Sequence, residues 1–240
     1  MTSMHADSAP GDPVLRRLPA ATWRSSPALV VAGAFPLLVY VLVGWVFGPG
    51  APTVWVLVGL VSAPVVLWAM DRLQGELFDL DGVRPGLMRR LVVAEVFIAA
   101  PLLLAAWSTF ASTVATSSGS VIFQVLAVAG TALTMVSVLV AVVAVPIGTV
   151  RADVTVRTIT IASFLAAARR PLGPIAATAT AVAIGWLGLT WFTGLLVFVV
   201  PVLVVFAVGC AWPTATAFGV ALPHLAPTRS STARARHGEA

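Results

Sequence analysis

Lysine is missing from this chain of 240 residues: all fourteen basic side chains are arginines. Charge of either sign is scarce, at 10% of residues against about 25% in ordinary soluble domains, which excludes a water-soluble globular fold. The one cysteine, Cys210, rules out an internal disulfide and a site of clustered thiolates; lying in an apolar run, it reads as a small packing residue. His5, His224 and His237 stand in tails or at a helix end with no second His or Cys at ligand spacing, so no metal site is expected. A glycine-rich phosphate loop, a nucleophile elbow and paired carboxylates within apolar runs are also lacking. Those gaps argue against an ATPase, a hydrolase or a redox enzyme, and neither catalytic residues nor a cofactor are expected.

What is present is apolar: 59% hydrophobic residues and a mean hydropathy of +1.01. Six runs, 28–47, 52–70, 91–110, 121–147, 172–190 and 194–220, reach or nearly reach the ~20 residues with which a helix crosses ~30 Å of hydrocarbon. They are too long for barrel strands, and a lipid-exposed backbone must satisfy its own hydrogen bonds. The expected fold is all-α and polytopic: six transmembrane helices over 28–222, paired as three helical hairpins, between disordered cytoplasmic tails at 1–27 and 223–240.

The arginines orient these spans. Arg16, Arg17 and Arg24, then Arg72, Arg84, Arg89 and Arg90, then Arg151, Arg157, Arg169 and Arg170, and finally Arg229, Arg234 and Arg236 all fall in segments on one side. The alternate turns, Gly48-Pro49-Gly50-Ala51, the polar stretch 111–120 and the break at Thr193-Gly194, hold no charge. Retention of arginine in the cytoplasm predicts that both termini lie inside. The run 28–47 is longer than the 7–15 residues of a signal-peptide core and is expected to be a retained span, not a cleaved signal. A net charge of +5 and a pI near 11.2 raise the question of nucleic acid. Because the arginines are divided among four segments beside apolar spans, anionic lipid head groups at the cytoplasmic face are the expected counter-charge instead.

Within this frame, Trp45, Trp55, Trp107 and Trp191 near outer ends and Trp23, Trp68 and Trp212 near inner ends form an aromatic belt at each interface. Pro36, Pro64, Pro101 and Pro201 are expected to kink four spans. Runs 121–147 and 194–220 exceed the hydrocarbon thickness and must tilt, kink or project.

Glu95 is the one acid inside a span and the possible intramembrane polar site. It follows Arg90 by ~8 Å of helix, so snorkelling, or pairing with Arg90 or Arg170, is expected in preference to proton carriage. Gln124 is placed at the outer interface. The loop Asp71, Glu76, Asp79 and Asp81 lacks the ligands of a calcium loop and reads as solvated. Thr131, Thr134, Ser137, Thr178, Thr180, Thr190, Thr214 and Thr216 are expected to serve helix packing before any translocation path. Over 151–170 a helix would align Val154, Thr158, Ile161, Leu165 and Ala168 on one face, lying in the inner interface or docking a cytoplasmic partner. Arg84, Arg89, Arg90, Arg151, Arg157, Arg169 and Arg170 are the candidate partner or lipid contacts.

The order Gly48-Pro49-Gly50, a span ending in Asp71-Arg72-Leu73-Gln74-Gly75-Glu76, the turn Arg84 to Arg90, a hydroxyl-bearing span, a cytoplasmic helix and Ala166-Ala167-Ala168-Arg169-Arg170-Pro171-Leu172 resembles the YesL-like family of bacterial membrane proteins. The resemblance covers most of residues 28 to 212 and implies no catalytic residues. It implies an accessory role beside ATP-driven carbohydrate uptake systems, with transporter subunits as partners. The expected function is a non-enzymatic accessory or assembly partner of such a transporter. The alternative is a small permease subunit that moves a substrate and recruits an ATPase through residues 151–170.

Overall fold

The computed structural model describes residues 13–48, 51–80, 86–150, 155–216 and 224–226, with Pro52, Trp55, Thr214 and Ala215 described in backbone only. Among the described residues eight α-helices follow one another: α1 (Pro13–Arg24), α2 (Ser26–Phe47), α3 (Pro52–Leu77), α4 (Leu87–Ser118), α5 (Val121–Gly148), α6 (Val156–Arg169), α7 (Leu172–Thr190) and α8 (Val199–Thr216). A 3₁₀ stretch, Thr193–Phe198, leads into α8. Among the described residues there is no strand, and an antiparallel bridge joins Phe78 to Leu225. Six helical stretches among the described residues are long and apolar enough to cross a membrane, belonging to α2, α3, α4, α5, α7 and the 3₁₀–α8 pair.

Several boundaries differ from those the charges implied. Helix α3 runs past residue 70 to Leu77 because Met70, Leu73, Gln74 and Leu77 continue one buried face, while Arg72 sits on the exposed side. Helix α4 continues through the stretch 111–120 expected as a turn, reaching Ser118. The hydroxyls of Thr113, Thr116, Ser117 and Ser118 donate to carbonyls three or four residues back, so they need no loop, and Ala111 and Ala115 remain buried. The turn contracts to Gly119-Ser120, with Gly119 at φ +66, the left-handed conformation that glycine adopts without strain.

The sixth span, expected as one long helix with Pro201 kinking it, instead begins as a 3₁₀ stretch. Pro201 falls in the first turn of α8, where its missing N–H would have had no intrahelical partner. The 3₁₀ backbone lies directly on α2: a Cβ added to Gly33 would stand 1.8 Å from the carbonyl oxygen of Val197.

The tails are corrected in part. Residues 13–24, expected within a disordered segment, form α1, in which Val14, Leu18 and Ala21 share a face turned to the core between α3 and α8. One residue, Ser25, separates α1 from α2. Residues 224–226, expected in the C-terminal tail, lie beside the end of α3: the Asp79 N–H donates to the His224 carbonyl at 2.8 Å and the Ala226 N–H to the Leu77 carbonyl at 3.0 Å. Residues 1–12 and 227–240, with His5, His237, Arg229, Arg234 and Arg236, lie outside the described residues, as do Pro49, Gly50, Asp81, Arg84, Arg151 and Val154.

The core is concentrated at the arginine-bearing end, where Leu73, Leu77, Phe78, Val93, Val143, Val208 and Trp212 are fully buried. Towards the other end the helices splay their apolar faces outward, as Val41 and Trp45 on α2, Val125 and Val128 on α5, and Leu189 on α7 show. Only 22% to 39% of each candidate span's most apolar window is buried within the chain, so most of that surface needs lipid or another apolar partner to cover it.

Candidate functional site at the arginine-bearing end

Polar contacts between helices gather where α3 ends, α4 starts and α5 ends. Arg90 of α4 forms an ion pair with Asp71 of α3, both side chains mostly sequestered. One turn further along α3, Gln74 is fully buried and its Nε2 donates to the Pro146 carbonyl at 2.9 Å. That carbonyl belongs to the last turn of α5, whose terminal acceptors have no helical partner of their own. The buried Thr149 hydroxyl lies 3.2 Å from the same oxygen and 2.9 Å from the Val145 carbonyl. Below this layer Trp212 of α8 packs edge-on against Phe78 with ring centroids 5.2 Å apart. Trp212 is therefore a core residue, not a member of the interface belt; Trp23, Trp45 and Trp191 are at least 80% exposed.

The perimeter is held by weaker ties. Arg24 reaches Glu76 at 3.3 Å across an exposed surface, Arg17 donates to the Ala226 carbonyl at 2.6 Å, and the Arg72 guanidinium lies 6.0 Å from the Trp68 ring. The first contact fastens α1 to the end of α3 and the second fastens α1 to residues 224–226, while the third lies within α3. Asp71 and Glu76 are thus helix residues with arginine partners, where a solvated loop was expected.

Glu95 is not the partner of Arg90, whose guanidinium meets Asp71 instead; its Oε2 is buried on α4 without a hydrogen bond. The span hydroxyls have local partners. Thr131, Thr134, Ser137, Thr178, Thr180, Thr190 and Thr216 each lie within hydrogen-bond reach of a carbonyl of their own helix. Thr131 also meets Ser108 of α4 at 2.7 Å, beside Gly130, where a Cβ would come within 3.1 Å of Ser108 Cβ. This is a small-residue seam that lets α4 and α5 approach closely.

The candidate arginines do not form one cluster. Arg90 is committed to Asp71, Arg157 and Arg169 stand at opposite ends of α6, and Arg84 and Arg151 lie outside the described residues. Arg169 and Arg170, consecutive in the chain, both line an otherwise apolar cavity of about 630 Å³ between α1, α7 and α8. On α6 the expected helix is present, capped at its start by the Thr155 hydroxyl, 3.3 Å from the Thr158 N–H. Ile159, Ser163, Ala166 and Ala167 form its buried face, and Ile159 packs beside Gly148 of α5. The face read from sequence is the outward one: Thr158, Ile161, Leu165 and Ala168 are exposed, together with Phe164.

Gln74, Ser108 and Thr149 carry these contacts without having stood out in the sequence, whereas Trp212 stood out there only as an interface tryptophan. For Gln74 a signal existed, since it lies between Leu73 and Leu77 on a face that the charges at Asp71, Arg72 and Glu76 obscured. Six apolar helices among the described residues define an all-α, multi-pass membrane protein. No protein-family model, curated protein or solved structure matches the chain.

Proposed function

We propose that this protein is a non-enzymatic accessory or assembly subunit of a bacterial plasma-membrane transporter for carbohydrates, held to its partner at the cytoplasmic face. The observation that carries this reading is α6. One side of the helix is locked onto the end of α5, while Ile161, Phe164 and Leu165 on the other side are about half exposed between Arg157 and Arg169. A short helix so presented offers apolar anchors for a groove and charges at its margins. The carbohydrate class rests on the resemblance drawn from the loop patterns. A small permease subunit that moves a substrate itself and recruits an ATPase through residues 151–170 is less well supported, because the described span hydroxyls are engaged with carbonyls of their own helices.

Affinity purification in mild detergent, with identification of the accompanying chains, tests the proposal. Sugar-permease subunits should accompany the native chain and be lost from a Phe164→Asp/Leu165→Asp variant that remains monodisperse. Recovery of a nucleotide-binding subunit without a separate permease would transfer support to the permease reading. A chain that purifies alone would refute both.

A further inference from the structure

The cavity between α1, α7 and α8 has a chemistry that the partner proposal leaves unused. Its walls are apolar, formed by Leu15 and Leu18 of α1, Ala176 of α7 and Phe206 of α8, and its charged margin is the consecutive pair Arg169 and Arg170. Among the described residues no acid lines it. At about 630 Å³ it is within the roughly 300–1,000 Å³ typical of small-molecule sites. We infer that it binds one anionic phospholipid from the leaflet at this end of the protein, with the phosphate on Arg169 and Arg170 and an acyl chain along α8.

Position supports that occupant. Helix α7 starts two residues after Arg170, so the two arginines stand in the chain where the apolar span begins, at the depth of lipid head groups. Leu172 lines the cavity and is 81% exposed, and Ile175, one turn on, is 47% exposed; the cavity thus opens onto the lateral surface that meets lipid. Arginine is suited to the phosphate because its planar fork makes paired hydrogen bonds to adjacent oxygens. Residues 227–240 carry Arg229, Arg234 and Arg236 against the single acid Glu239, and residues 1–12 hold no Leu, Ile, Val or aromatic side chain, so neither of these two segments matches an apolar groove bordered by arginines. The inference requires a membrane-spanning chain but no protein partner, so failure of the accessory reading would leave it standing.

Native mass spectrometry of the full-length protein, titrated with phosphatidylglycerol and with phosphatidylcholine of the same acyl chains, tests it. One phosphatidylglycerol should be retained at least about tenfold more tightly than phosphatidylcholine. Arg169→Ala/Arg170→Ala should abolish that preference, Arg169→Lys/Arg170→Lys should keep most of it, and Ala176→Trp should reduce binding of both lipids by filling the groove. A monodisperse size-exclusion profile confirms that each variant is folded. Equal retention of the two lipids by the native protein, or unchanged retention by both the alanine and tryptophan variants, would overturn the inference. Finding a peptide or a second copy of this chain in the cavity would do the same.

Discussion

Nε2 of Gln74 on α3 donates a 2.9 Å hydrogen bond to the main-chain carbonyl of Pro146, closing the end of α5 from a residue 72 positions earlier in the chain. The bond gives a buried amide a partner and a helix terminus an acceptor contact that its own backbone does not supply. It also aligns α3 and α5 along their axes. Gln74→Met, close in volume but unable to donate, should lower stability by about 1 kcal/mol. Thermal unfolding in detergent measures the loss, and a melting temperature indistinguishable from the native protein's would show that the bond contributes nothing.

Asp71–Arg90 and Arg24–Glu76 tie neighbouring helices at the same end but differ in environment. The side chains of the first pair are 13% and 19% exposed, and those of the second 49% and 32%. Water screens the second, so a double-mutant cycle there should give less than about 0.5 kcal/mol. The cycle joining Asp71→Asn and Arg90→Gln should exceed about 1 kcal/mol, because either single change leaves its partner in a site poorly served by water. Equal coupling energies in the two cycles would contradict this ranking.

Gly33 and Gly59 separate close approach of a backbone from close approach of a movable side chain. A Cβ at Gly33 would meet the Val197 carbonyl at 1.8 Å, whereas at Gly59 the nearest atom, at 2.3 Å, is the end of the Leu102 side chain. Gly33→Ala should therefore force α2 off the 3₁₀ stretch and cost more than about 3 kcal/mol. Gly59→Ala should cost below about 1 kcal/mol, since Leu102 can change rotamer and alanine favours the helix. The readout is the monodisperse fraction and melting temperature of each variant; equal tolerance at both positions would show that α2 is not seated as described.

Topology can be tested because Cys210 is the chain's one cysteine. In a Cys210→Ala background, Ser118→Cys at the end of α4 and Thr158→Cys on the exposed side of α6 should label from opposite sides of the membrane. With the arginine-bearing end in the cytoplasm, a membrane-impermeant maleimide applied to intact cells should reach position 118 and not 158. The reverse result would invert the orientation, and labelling of both would break the arrangement of spans.

The existence of six spans was legible along the chain because transfer of a helix into hydrocarbon is close to a local sum over some twenty residues. Charges made the ends of those spans harder to read: α3 carries Asp71, Arg72 and Glu76 on a helix whose buried face continues through Leu77. The α1 signal, Val14, Leu18 and Ala21 at helical spacing, was present but short and polar overall. The outward face of α6 could be read as a periodic set, yet periodicity alone did not say that Ile159 and Ala166 would occupy the buried side. Lipid and protein both accept apolar side chains, so hydropathy cannot choose which of two such faces meets the bundle. Only the tertiary structure decided the pairing of Gln74 with Pro146, the seating of Gly33 on Val197, the commitment of Arg90 to Asp71 over Glu95 and the burial of Trp212. Those outcomes depend on the axial register and rotation of helices distant in sequence, which packing of the whole bundle determines.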